Sequence, residues 1–254
     1  MSVIELWHLP LLFGTGLVAG FIDSIAGGGG LITVPVLLSF GFDPRDALGT
    51  NKLQATFGSG SATWHYARAG TVELSDCWRG FLITFIAAAG GTLLVQRLPR
   101  DFLAHLVPTL LLAVAVYSLL RPNLGQRDAP SRMSRRAFDL LFGLLIGFYD
   151  GFFGPGTGTF WAMAYVLVLG FNFTRATGYT KVMNFSSNLS SLLFFAIGGH
   201  VLVLPGIVMG FGQLIGARLG SGAVVKHGAR FIRPIFIAVV IALTVKLLYD
   251  ARRG

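Results

Sequence analysis

The 254-residue chain has one cysteine, Cys77, which excludes a disulfide framework and any cysteine pair spaced for a metal. It is also poor in charge. Asp, Glu, Lys and Arg make up 12% of it, against about 25% in soluble domains. Acidic residues are the scarcer sign, 11 against 20 basic, for a formal net charge of +9. Gathered in one polar domain, that excess would suggest nucleic acid. Here most basic residues stand in short connectors between apolar runs, as membrane topology signals do, so no nucleic-acid partner is expected. The five histidines, His8, His65, His105, His200 and His227, are scattered and mostly near segment ends, and no metal site is expected. No Walker A sequence is present, so no nucleotide motor and no cofactor are expected. A basic leader is lacking too: "MSVIELWHLPLLFG" runs straight into apolar sequence, and no cleavable signal peptide is evident.

What the chain has is apolar sequence, 54% of its residues, with 22 phenylalanines. A soluble domain of this size would have to expose much of that surface, so the chain belongs in lipid. Apolar segments fall at roughly 9–26, 31–42, 51–67, 77–96 and 102–120. After the polar connector "RPNLGQRDAPSRMSRR" come roughly 137–153, 159–171, 180–198, 201–225 and 231–249.

Five segments, a linker and five more invite a search for a repeat. "GLVAGFIDSIAGGGG" from Gly16 aligns with "GLLIGFYDGFFGPGT" from Gly143, an offset of 127. Asp23 thereby meets Asp150, and Gly27 meets Gly154. Further on, "GFDPRDALGTNK" from Gly41 aligns with "GFNFTRATGYTK" from Gly170 at an offset of 129, and Lys52 meets Lys181. The division is a first repeat over 1–120, a basic linker over 121–136 and a second repeat over 137–254.

The second segment of each repeat is too short to cross a bilayer, which takes roughly 20 helical residues. The first two segments are therefore expected to form a broken or re-entrant hairpin with a glycine-rich tip at membrane depth, followed by three full helices. Each repeat crosses an odd number of times, so the two have opposite orientation. The predicted fold is an all-α polytopic integral membrane protein of two inverted-topology repeats, an architecture of secondary transporters. Basic residues concentrate in the linker (Arg121, Arg127, Arg132, Arg135, Arg136), near 226–233 and in the 68–79 loop. That side is expected in the cytoplasm, with both termini outside.

The stretch "GFIDSIAGGGGLITVPVLLSFGFDPRDALGTNK", with "GFFGPGTGTFW" and "ATGYTKVMN" later, resembles the TauE/SafE family of sulfite exporters over about residues 10 to 250. The resemblance implies transport of sulfite, sulfonates or related sulfur-containing anions across a bacterial-type inner membrane. Members differ in substrate and direction, so it fixes neither.

Candidate residues follow from the breaks. Gly16/Gly20, Gly143/Gly147 and the ladder Gly212, Gly216, Gly220 read as helix-packing glycines. Gly27, Gly28, Gly29 and Gly30, and Gly154, Gly156 and Gly158, sit where backbone N–H groups at a new helix start can hold an anion. Lys52 and Lys181 are each expected to open a long helix. A cation in the first turn opposes the macrodipole, so a bound anion is expected to offset it; interfacial snorkelling is the alternative. Lys181, Asn184, Asn188 and Ser191 share one helix face and are expected to line a cavity, with a thinner stripe of Lys52, Thr56 and Ser59 in the first repeat. Asp23 and Asp150 are costly in an apolar segment; they serve proton coupling, pair with a nearby basic residue, or cap a break. Arg218 also falls within an apolar stretch. A small anionic substrate and the lipid bilayer are the partners expected, and a homo-oligomer is compatible. A passive channel is the alternative. An intramembrane hydrolase built on Ser59, Ser61 and His65 is disfavoured, because residues six apart on a helix face different ways and four apart give poor geometry for attack. No enzymatic activity is expected.

Overall fold

The computed structural model describes residues 8–119 and 128–227; the expected segment at 231–249 and residues 121–127 of the linker lie outside them. Among the described residues all regular structure is helical: α1 His8–Ala26, α2 Gly30–Ser39, α3 Pro44–Arg68, α4 Trp78–Arg97, α5 Arg100–Leu119, α6 Arg135–Phe152, α7 Thr157–Leu167, α8 Phe173–Ile197 and α9 Val203–His227. Three stretches, His8–Ile25, Trp78–Arg97 and Val203–Lys226, are long and apolar enough to cross a membrane. The chain is a membrane-embedded helical protein.

The breaks fall where glycine permits them. Helix α1 ends at Ala26 because Gly27 takes a left-handed φ of 71°, while its N–H still reaches the Asp23 carbonyl at 2.9 Å. Helix α2 then runs for only 10 residues, about 15 Å by its rise. Helix α6 ends at Phe152, and Gly154 and Gly156 turn the chain at φ values of 95° and 83° into α7, which has 11 residues.

Helices α3 and α8 begin earlier than the hydropathy suggests. Asp43 caps α3 by accepting from the Arg45 N–H at 2.9 Å, with Pro44 following. Asn172 caps α8 by accepting from the Arg175 N–H at 3.0 Å. Each helix has 25 residues, and Lys52 and Lys181 lie more than two turns inside rather than in the first turn. The helix dipole therefore does not set either lysine against a helix start, and no bound anion is needed to offset it.

Glycines bring the helices into backbone contact, as the small-residue pattern predicts. A Cβ on Gly16 of α1 would lie 2.1 Å from the Met209 carbonyl oxygen of α9, and one on Gly216 of α9 2.0 Å from that of Leu17. Gly143 and Gly147 of α6 pack likewise on α4, against Ile83 and Thr84. Beside this scaffold lies an aromatic core of Tyr66, Phe138, Trp161, Tyr165 and Tyr179. Tyr66 holds the last turn of α1 by donating to the Ser24 carbonyl at 3.0 Å.

Candidate functional site

Four charges converge where the two breaks meet. Lys52 Nζ of α3 lies 2.6 Å from Asp150 Oδ1 and 2.5 Å from the Asp150 carbonyl, in the last turn of α6. Lys181 Nζ of α8 lies 3.0 Å from Asp23 Oδ2, in the last turn of α1, and also donates to the Asp23 carbonyl. The pairs are crossed: Lys52 takes the aspartate beside the second break, and Lys181 the aspartate beside the first. Both lysine side chains are shut from solvent, at 1% and 0% exposure. Buried ammonium groups persist only when paired, so the carboxylates, not a bound anion, offset the lysines in this arrangement. This realises one of the alternatives open for Asp23 and Asp150, pairing with a basic residue.

The pairs differ. The Asp150 side chain is 4% exposed, and Ser187 Oγ donates to the oxygen that Lys52 leaves free. The Asp23 side chain is 22% exposed. Its Oδ1 accepts the Gly29 N–H at 3.1 Å, at the start of α2. The helix start at the first break thus already holds an oxyanion, the chain's own carboxylate.

A cavity of about 30 Å³, room for roughly two waters, opens among these groups. Asp23, Lys52 and Asp150 line it, as do Asn184 and Asn188 of the expected stripe. From the breaks come Gly29, Gly30, Gly154, Gly156 and Gly158. Gly27, Gly28 and Lys181 are not in its wall. Lys181 stands behind Asp23, and Gly27 packs on the other break, where a Cβ added to it would lie 2.4 Å from Gly158 Cα. Thr159 Oγ1 donates to the Gly27 carbonyl at 3.1 Å across the same contact.

Sequence reasoning missed Asn51, Thr157 and Gln213, which also line the cavity. Asn51 is engaged, accepting from Thr33 Oγ1 at 2.6 Å and Gln54 Nε2 at 2.7 Å. Gln213 is 2% exposed, and its Oε1 has no hydrogen-bond partner; nor does Asn184 Oδ1. These are acceptor oxygens, which a water or another donor in the cavity would satisfy; an anion would be met instead by the N–H groups of the same amides. Gln213 was legible as a lone amide in the apolar α9, between the packing glycines Gly212 and Gly216.

Other expected members of the stripes serve the helices. Thr56 and Ser59 donate to the carbonyls four residues back, Lys52 and Ala55, and Ser191 lies buried outside the cavity wall. Ser61 donates to the Leu214 carbonyl, while His65 meets Arg218, so these positions do not assemble a serine–histidine pair. Arg218 itself is exposed on α9.

A charge-balanced polar cavity between broken helices of a membrane-embedded protein is the setting of a membrane transporter. The model described as "Sulfite exporter TauE/SafE" matches residues 12–247, and the chain belongs to this family. It is 46% identical over 243 residues to the Escherichia coli protein named "Probable membrane transporter protein YfcA", covering 96% of this chain and 90% of that one. It is 46% identical over 242 residues to a "Probable membrane transporter protein" of Haemophilus influenzae, covering 95% of each. A Sinorhizobium protein, "Probable membrane transporter protein ORF9", is 47% identical over 242 residues, with 95% and 93% covered. No solved structure matches the chain.

Proposed function

We propose that the chain is a secondary transporter that moves a small sulfur-containing anion, such as sulfite or a sulfonate, across the cytoplasmic membrane by alternating access. The observation that carries this reading is the pair of crossed ion pairs around one cavity. Each links a lysine on a long helix to the break of the distant segment, so displacing either pair changes how two parts of the chain are held together. The repeated sequence supports two inverted repeats, 1–120 and 137–254, joined by a cytoplasmic linker over 121–136, with both termini outside. The contact between Gly27 and Gly158 and the small cavity favour a carrier over an open channel. Sulfur enters the reading through the family description alone.

The substrate anion is held by the N–H groups of the Asn184, Asn188 and Gln213 amides and by Lys181 once Asp23 yields it, with Lys52 and the glycine backbone of the two breaks completing the site. A binding screen of purified protein with sulfite, sulfate, thiosulfate, sulfoacetate and taurine tests this. At least one anion is expected to bind. Lys181→Gln should raise its Kd roughly ten- to a hundred-fold, since a charge-assisted hydrogen bond contributes about 1.5–3 kcal/mol. Gln213→Leu removes an uncharged partner, worth about 1 kcal/mol, and should raise Kd about fivefold. Binding as tight as the parent's in both variants contradicts the site, and no binding of any anion contradicts the function.

A further inference from the structure

The two crossed pairs bring two ammonium and two carboxylate groups into one buried site, so its formal charge is zero before any substrate arrives. A monoanion added to that site leaves one negative charge uncompensated in a region that solvates charge poorly. The polar groups an oxyanion needs are also occupied. Lys181 Nζ and the Gly29 N–H are both bonded to the Asp23 carboxylate, at 3.0 and 3.1 Å. The incoming anion and Asp23 compete for the same donors.

Resting on the anion-transport reading above, we propose that each monoanion binds together with one proton, and that Asp23 takes the proton. The proton is drawn from the bulk solution, relayed through water in the cavity so that no hydroxide stays behind, and adds to a carboxylate oxygen of Asp23. The neutral carboxyl group releases Lys181 and the Gly29 N–H, and the substrate oxyanion replaces it on both. The charge of the site is then zero before and after, and anion and proton cross in the same direction. The number coupled is one proton per negative charge carried.

Geometry selects Asp23 over Asp150. Both line the cavity, but Asp23 is the more exposed of the two, 22% against 4%. Each aspartate is held by its lysine through both carboxylate and carbonyl, so the second oxygen makes the difference: on Asp150 it accepts from the buried Ser187 hydroxyl, on Asp23 from the Gly29 backbone N–H at the cavity wall. Among the described residues, the ionisable groups toward Asp23 are Lys181 from α8, Tyr66 and Lys52 from α3, and Asp150 from α6 across the cavity. Helix α9 presents the uncharged Gln213 there, its Arg218 being engaged with His65. Helix α2 contains no ionisable side chain, and the one in α7, Tyr165, is buried in the aromatic core. Asp23 is thus the cavity carboxylate whose neutralisation frees a lysine without undoing the Lys52–Asp150 pair.

The test titrates purified protein with methanesulfonate in weak buffer containing a pH indicator. This anion keeps its charge across the working pH range, so any proton taken up belongs to the protein. About one proton should be absorbed per anion bound, and Kd should rise about tenfold per pH unit as pH increases. In Asp23→Asn both the uptake and the pH slope should vanish, and Asp23→Glu should restore them. Binding by the parent protein without proton uptake overturns the coupling and leaves the anion site standing. Uptake that persists in Asp23→Asn overturns the assignment to Asp23. If neither methanesulfonate nor sulfite binds at any pH, the anion-transport reading falls and this proposal falls with it.

Discussion

Lys52→Met should destabilise the protein by about 3–5 kcal/mol, the range for removing one partner of a buried ion pair. The Asp150 carboxylate would keep only Ser187 as a partner, at a side chain 4% exposed. Asp150→Asn should do comparable damage from the other side by leaving the ammonium of Lys52 buried beside an amide and a carbonyl. Combining Lys52→Met with Asp150→Asn should recover much of the loss, because no unpaired charge then remains, while substrate binding stays impaired. Thermal unfolding of the three variants in one detergent or lipid mixture measures this. Equal stability of Lys52→Met and the parent would contradict the buried pair. The corresponding loss at Lys181 should be smaller, since Asp23 is partly solvated and retains the Gly29 N–H.

Gly158→Ala should reduce transport severely while the chain still folds. A Cβ at this position would lie 2.5 Å from Gly27 Cα, backbone of the opposite break that no rotamer change can move, and 3.1 Å from Asn184 Nδ2. The breaks must separate to admit the methyl group, at an overpacking cost of about 1–3 kcal/mol. The lining of the cavity moves with them. Gly14→Ala is the matched control. It lies inside α1 with no atom within 4 Å of an added Cβ, and should stabilise the helix by about 0.5–1 kcal/mol. Transport by Gly158→Ala at the parent rate would show that the contact between the breaks plays no part in the cycle.

The positions of both breaks were legible because glycine runs inside apolar sequence have few other uses, and the short α2 and α7 followed from segment length. The starts of α3 and α8 were misplaced because the hydropathy rises only near residues 51 and 180. The cap signals, Asp43–Pro44 and Asn172, were present in the sequence but lie in its polar stretch. Hydropathy alone therefore leaves out two turns of each helix and places the lysines at a helix start. The crossed pairing was beyond reach for a different reason. Lys52 and Asp150 are 98 residues apart, Lys181 and Asp23 are 158 apart, and an alignment of repeats says which residues are equivalent, not which ones touch. Asn184 and Asn188 were found because spacings of three and seven from Lys181 place them on its face. Gln213 was missed because it stands alone on its helix, with no polar neighbour to form a stripe.

Proteoliposomes loaded with the purified protein and given labelled sulfite on one side decide whether this cavity carries an anion. The parent protein should accumulate sulfite saturably above protein-free liposomes, with faster uptake under an inward proton gradient, and Lys181→Gln should lose most of that uptake. Sulfite entry no faster than in protein-free liposomes, or undiminished in Lys181→Gln, would contradict a sulfite carrier built on the crossed pairs.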